Sequence, residues 1–180
     1  MIAEQIPTRD SERPEQVTPA ELRDQALFGA LSEEALAYLA KELRVVCPQV
    51  GEFIFREGEE ARDMFVVLRG EMEILKHSRR GTEVRVAILG PGDWFGEMGL
   101  VDIQRRSATV RALAPCQLVR ISAQDLDSLY RHDLKAYALI VLNVARELSR
   151  RLRVADGILA DFTANLLDSY LSRREPKARA

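Results

Sequence analysis

"MFVVLRGEMEILKHSRRGTEVRVAIL", residues 64–89, is three short apolar runs cut by two turns. Valine, isoleucine, leucine and phenylalanine concentrate in 64–69, 71–76 and 83–89, and Arg69-Gly70 and the polar stretch HSRRG separate them. Runs this short and this rich in β-branched residues suit strands, because a helix needs a longer apolar period to bury one face. The same texture extends on both sides, at 44–49 and 52–56 before it and at 107–113 and 117–122 after it, with turn signals at Gly51, REGEE and GPGD (90–93). Seven candidate strands, broken by turns at intervals of about eight to twelve residues, predict an antiparallel sandwich or barrel-like roll. In the last of them Val119 and Ile121 point one way and Leu118 and Arg120 the other.

Helical patterns flank this β region. Thr18, Pro19 and Glu21 read as a cap, a first helical residue and a capping-box partner. A second helix starts near Ser32, with Leu31, Ala35, Leu39 and Leu43 on one face. After Ser122, SAQDLDSLY predicts a short helix and a long one starts at 133. Along it Leu134, Ala138, Val141, Ala145, Leu148, Leu152, Ala155, Leu159 and Phe162 alternate steps of four and three, a coiled-coil seam. Leu139, Ile140, Leu142 and Val144 lie off that seam and are expected to pack on the strands, and Gly157 is expected to kink or end the helix. The domain reading is a flexible tail over 1–17, a β-roll with its N-terminal helices over 18–132, a long lid or dimerisation helix and its extension over 133–172 and a flexible basic tail over 173–180.

Composition narrows the function. With 180 residues, 47% hydrophobic and 30% charged, the chain has material for one domain with a core. A net charge of −2 argues against a surface built for nucleic acid, and no signal-peptide or membrane-span pattern is present, so a cytoplasmic location is expected. Cys47 and Cys116 read as buried free thiols. His77 and His132 each lack a second ligand at metal spacing, and no nucleophile-elbow or zinc-protease motif occurs, so neither a metal, a cofactor nor a catalytic residue is expected. Trp94 is assigned to the core, and Thr109 to the strand surface.

One segment does not alternate. FGEMGLVDIQRR (95–106) interrupts the sheet. Gly96 and Gly99 allow backbone to approach a ligand closely, and a helical turn at 97–101 would aim its first amides at an anion. Arg106 can add a charge-assisted, bidentate bond to phosphate, and Ser107 a neutral one. Glu97 only accepts, so its partner is a donor beside the phosphate, such as a ribose hydroxyl. A nucleotide with a single phosphate fits that set.

Phe95-Gly96-Glu97-Met98-Gly99-Leu100 followed by Arg106-Ser107-Ala108-Thr109-Val110 resembles the phosphate-binding cassette of the cyclic nucleotide-binding domain family, which includes catabolite activator protein and the regulatory subunits of protein kinase A. GEEARDMFVVLRGEMEIL, with Gly58, Met64, Phe65, Val66, Val67 and Gly70 at the signature positions, and LGPGDWFGE are similar to further family motifs over residues 24–156. The resemblance implies a mainly β fold with helices (α+β): an antiparallel β-roll, a double-stranded β-helix or jelly roll, with N-terminal helices, a short cassette helix and a long C-terminal helix. It also implies a ligand site at Gly96, Glu97, Met98, Gly99, Leu100, Arg106, Ser107 and Ala108. In it Glu97 would accept from the ribose 2′-hydroxyl, and Arg106 and Ser107 would hold the cyclic phosphate with backbone amides of Gly96, Glu97 and their neighbours. Serine after the arginine goes with cAMP in the bacterial activators, so cAMP is the ligand implied, with cGMP as the alternative. Ala155 and Asp156 stand where activators of this family touch the base across a dimer. Arg105 replaces a common proline.

Expected partners are a cyclic nucleotide, a second copy of the chain through 134–162 and a separate effector protein. Only 24 residues follow Asp156, too few for the winged helix-turn-helix of the transcription factors, so nucleic acid and membrane are not expected as partners. Two alternatives stand beside this: an interaction module of the same fold with no nucleotide ligand, and a truncated DNA-binding regulator using the basic tail or Arg146, Arg150, Arg151 and Arg153. A hinge at 125–133 is expected to let the long helix close over the base.

Overall fold

The computed structural model describes residues 16–102 and 104–172, so the tails read over 1–17 and 173–180 fall almost wholly outside the described residues. Gln16 and Val17 are described, and Val17 is buried. The chain divides into two compact units, one up to Val141 and one from Leu142.

The first unit opens with α1 (Pro19–Arg23), a 3-10 turn at Ala26–Phe28 and α2 (Glu33–Glu42). Thr18 and Glu21 close the expected capping box: the Glu21 amide donates to Thr18 Oγ1 at 3.2 Å and the Thr18 amide to Glu21 Oε2 at 2.9 Å. Ser32 caps α2, and Ala35, Leu39 and Leu43 are buried along the predicted face.

Eight strands follow: β1 (Arg44–Val46), β2 (Phe53–Phe55), β3 (Asp63–Arg69), β4 (Met72–His77), β5 (Glu83–Leu89), β6 (Trp94–Phe95), β7 (Thr109–Ala112) and β8 (Gln117–Ser122). They form two four-stranded sheets, ordered β1-β8-β3-β6 and β2-β7-β4-β5, with every pairing antiparallel. This is the predicted roll with one strand more than expected. β6 consists of two residues, Trp94 and Phe95, paired with Val66 and Phe65 of β3. Such a strand is too short to show a period of two. β1 stops before Pro48, which has no N–H to give a ladder.

Residues from both sheets fill one core. Phe55, Phe65 and Phe95 meet with ring centroids 5.4–6.2 Å apart, and Val67, Met72, Val110, Ala112, Cys116 and Leu118 close around them. Trp94 is buried as expected. Cys116 is buried too, and burial pushes its thiol up, but Cys47 is exposed, contrary to the sequence reading: it follows β1 directly and faces solvent. Thr109 is also corrected. It is buried, and its Oγ1 accepts from the Glu57 amide at 3.0 Å, which ties β7 to the turn after β2.

A four-residue helix, α3 (Met98–Val101), lies between β6 and β7; α4 (Ala123–His132) and α5 (Leu134–Ser172) complete the chain. Asp133 separates the last two helices. Its amide donates to Leu129 O at 2.7 Å, ending α4, and its carboxylate accepts from the Ala136 amide at 2.9 Å, starting α5. Within the first unit, off-seam Ile140 is buried while the seam residues Leu134 and Val141 are exposed. Gly157 does not end α5, which runs as one helix to Ser172. One interior glycine costs about 1 kcal/mol, less than a long helix gains over so many turns. Among the described residues, no helix is long and apolar enough to cross a membrane.

Candidate functional site

Phe95, Glu97, Gly99 and Arg106 of the interrupting segment are buried, while Met98 and Val101 face solvent. Gly96 has φ +84°, and a β-carbon there would come within 2.8 Å of Arg106 Nη1 and 3.0 Å of Asp63 O. Only glycine meets both demands. Gly99 is set by contact rather than dihedral: a β-carbon on it would stand 2.1 Å from Ala61 Cβ, so α3 lies directly against the turn before β3.

Glu97 and Arg106 are two of the four buried polar or charged residues among those described, 4% and 6% exposed. A buried carboxylate and a buried guanidinium are costly unless held by partners. Arg106 is held from three sides. Its Nη1 donates to Asp63 O at 2.7 Å and Gly96 O at 3.3 Å, its Nη2 pairs with Asp63 Oδ1, and the face of its guanidinium lies 3.9 Å from the Phe55 ring centre. Its backbone is tied to the 58–59 turn in both directions, by Gly58 N to Arg106 O at 2.9 Å and Arg106 N to Glu59 O at 2.8 Å. Burial pushes the guanidinium below the usual arginine value, and Asp63 acts against that shift. Its Nε is buried with no hydrogen-bond partner.

Asp63 serves a second arginine. Its Oδ2 accepts from Arg120 Nε on β8 at 2.7 Å. Arg105, where the family pattern has proline, donates to Gly58 O at 2.9 Å and so secures the same turn that holds Arg106.

The remaining predicted residues are distributed more loosely. Ser107 and Met98 are exposed and adjacent, with Ser107 Oγ 3.7 Å from Met98 Sδ. Leu100 and Ala108 are half-buried. The amides of Gly99, Leu100 and Val101 close onto Gly96 O and Glu97 O at 3.0–3.2 Å, so the helical turn satisfies them internally; of the predicted cradle, only the amides before Gly99 stay outside that turn. In the second unit Ala155 and Asp156 are exposed. Arg150 and Arg151 both pair with Glu147, at 3.1 and 3.2 Å, Arg146 bonds Asn143 at 2.9 Å, and Arg153 is exposed. His77 bonds Glu57 at 3.2 Å and His132 stacks on Tyr38 at 3.9 Å; no group of three metal-ligating side chains occurs among the described residues.

A family model described as "Cyclic nucleotide-binding domain" matches residues 49–133, the span that holds β2 to β8, α3, α4 and Arg106. The Cyclic AMP receptor protein of Thermus thermophilus is 34% identical over 139 residues, 75% of this chain. The chain belongs to the cyclic nucleotide-binding domain family. Its structure resembles the N-terminal domain of a transcriptional regulator from Streptomyces coelicolor, with a TM-score of 0.65 at 30% identity over 73% of this chain and 94% of that one. A cGMP-dependent protein kinase from Eimeria tenella is 43% identical over 89 residues, 49% of this chain and 8% of the kinase. The chain spans about three fifths of the length of its bacterial relatives, 61% for the Thermus protein and 58% for a regulator from Mycobacterium tuberculosis. The bacterial relatives are a receptor protein and transcriptional regulators.

Asp63, Arg120 and Phe55 went unseen in the sequence. Asp63 is 43 residues from Arg106 and 57 from Arg120, and only strand register brings the three together. One signal was available: Arg120 breaks the apolar run of β8, and Phe65↔Arg120 is its register partner, two residues from Asp63 on β3.

Proposed function

We propose that this chain binds a cyclic mononucleotide, cAMP first, as a regulatory sensor, and signals through α5 to a separate effector protein. The observation that carries the proposal is Arg106: a buried guanidinium, fixed beside Gly96 within the cassette, whose Nε has no partner. Nε and Nη2 share one edge of the planar group, the edge a phosphate can take with two parallel bonds. In this proposal Arg106 and Ser107 bind the cyclic phosphate and Glu97 accepts from the ribose 2′-hydroxyl. Gly96, Met98, Gly99, Leu100 and Ala108 line the ligand, and Ala155 and Asp156 of a second copy would touch the base, as the family resemblance implies. The role is binding without catalysis, by a cytoplasmic homodimer joined through 134–162. cAMP ranks first because Ser107 follows the arginine and the relative with 34% identity is a Cyclic AMP receptor protein. cGMP stays in the test because the kinase segment matches at 43%.

One observation favours a second reading, a module without a nucleotide ligand: Asp63 already gives Arg106 an internal counter-ion. Calorimetry separates the two. Binding of cAMP or cGMP by the wild type, weakened in Arg106→Ala by about 2–5 kcal/mol, or thirty-fold or more, supports the sensor. Neither heat nor a shift in Tm with either nucleotide supports the module.

A further inference from the structure

Arg106 poses an electrostatic problem. A guanidinium that already faces a carboxylate has little net positive potential left for a phosphate. Asp63 pairs with it, and Glu59 adds a second negative charge nearby. Arg106 with these two acids sums to −1, which weakens the pull of Arg106 on the anion it is proposed to bind. Arg120 corrects the balance. It bonds the other oxygen of Asp63 at 2.7 Å and brings the four groups to zero. With one oxygen engaged by each arginine, Asp63 is shared rather than spent on Arg106 alone. Arg106 then keeps Nε–H and one Nη2–H outside its protein bonds, since Nη1 uses both of its hydrogens on Asp63 O and Gly96 O and Nη2 uses one on Asp63.

We infer that Arg120, on β8 and outside the cassette, is a positioning residue for the phosphate site: it draws off the charge of Asp63 so that Arg106 is held in place and still available to a monoanionic ester. The inference rests on the sensor reading above. Its consequence is a coupling between Arg120 and phosphate that passes through Asp63. Removing Arg120 leaves Asp63 to neutralise Arg106 completely, and removing the charge of Asp63 makes Arg120 dispensable.

A double-mutant cycle on the full chain tests this, with cAMP as the titrant and Tm recorded for every variant. Arg120→Met is expected to weaken cAMP binding about tenfold, with Arg120→Lys recovering most of the loss. In the Asp63→Asn background the same Arg120→Met change is expected to cost less than about threefold. An equal loss in both backgrounds, or wild-type affinity in Arg120→Met, overturns the inference while leaving the sensor intact. A wild type that binds neither cAMP nor cGMP overturns the sensor and this inference with it. A drop in Tm with no coupling in the cycle assigns Arg120 to stability alone and likewise overturns its positioning role.

Discussion

Gly96 and Gly99 are small for different reasons, and substitutions separate them. Gly96→Ala meets both a left-handed φ and the Arg106 guanidinium. It is expected to cost at least about 1–2 kcal/mol and to weaken nucleotide binding by moving Arg106, read by thermal melting and calorimetry together. Gly99→Ala puts one methyl against another at Ala61, an overpacking cost of about 1–3 kcal/mol. Adding Ala61→Gly to that variant is expected to restore most of the lost Tm, since the two changes conserve volume across one contact. The two glycines, Glu97 and Arg106 were legible as a pattern, because a close backbone approach and a buried pair of opposite charges require particular residue types. The partners of Arg106 were not. A carboxylate such as Asp63 has the same chemistry on any surface, and nothing local says which cation it will face.

Caps and turns make the elements readable. Ser122 accepts from the Asp125 amide at 3.2 Å while Asp125 accepts from the Ser122 amide at 2.7 Å, a second capping box, at the start of α4. Ser122→Ala is expected to lower stability by about 1 kcal/mol, visible as a fall in Tm of several degrees. The box at α1 carries a pH signature. Hydrogen bonds from the Thr18 backbone and side chain hold the Glu21 carboxyl below its ordinary value of 4.5. A carboxyl lowered in the folded state contributes its stability above the unfolded value and loses it as pH falls through the folded one. The Tm difference between wild type and Glu21→Gln is therefore expected to persist from pH 7 down to about 4.5 and to shrink below that. Long-period signals served α2, α4 and α5 well. β6 was missed because two residues carry no period, and α5 does not end at Gly157, one of the two outcomes read there, because a single propensity does not outweigh the turns on either side.

In the second unit, the heptad stripe of α5 is unburied: Leu152, Leu159 and Phe162 are 60–63% exposed. An apolar seam of that length in water is expected to find a copy of itself. Leu152→Glu with Leu159→Glu is expected to convert a dimer to a monomer in sedimentation velocity, while the first unit keeps its melting transition. The sequence alone determined the mainly β class, its turns, the flanking helices and the glycine-flanked turn at Glu97, since each is written in local period, in cap chemistry or in glycine's lack of a β-carbon. Tertiary structure alone decided the sharing of Asp63 between Arg106 and Arg120, the burial of Thr109 and the exposure of Cys47. These follow from which strands lie side by side, and antiparallel register joins residues tens of positions apart that carry no mark of one another along the chain.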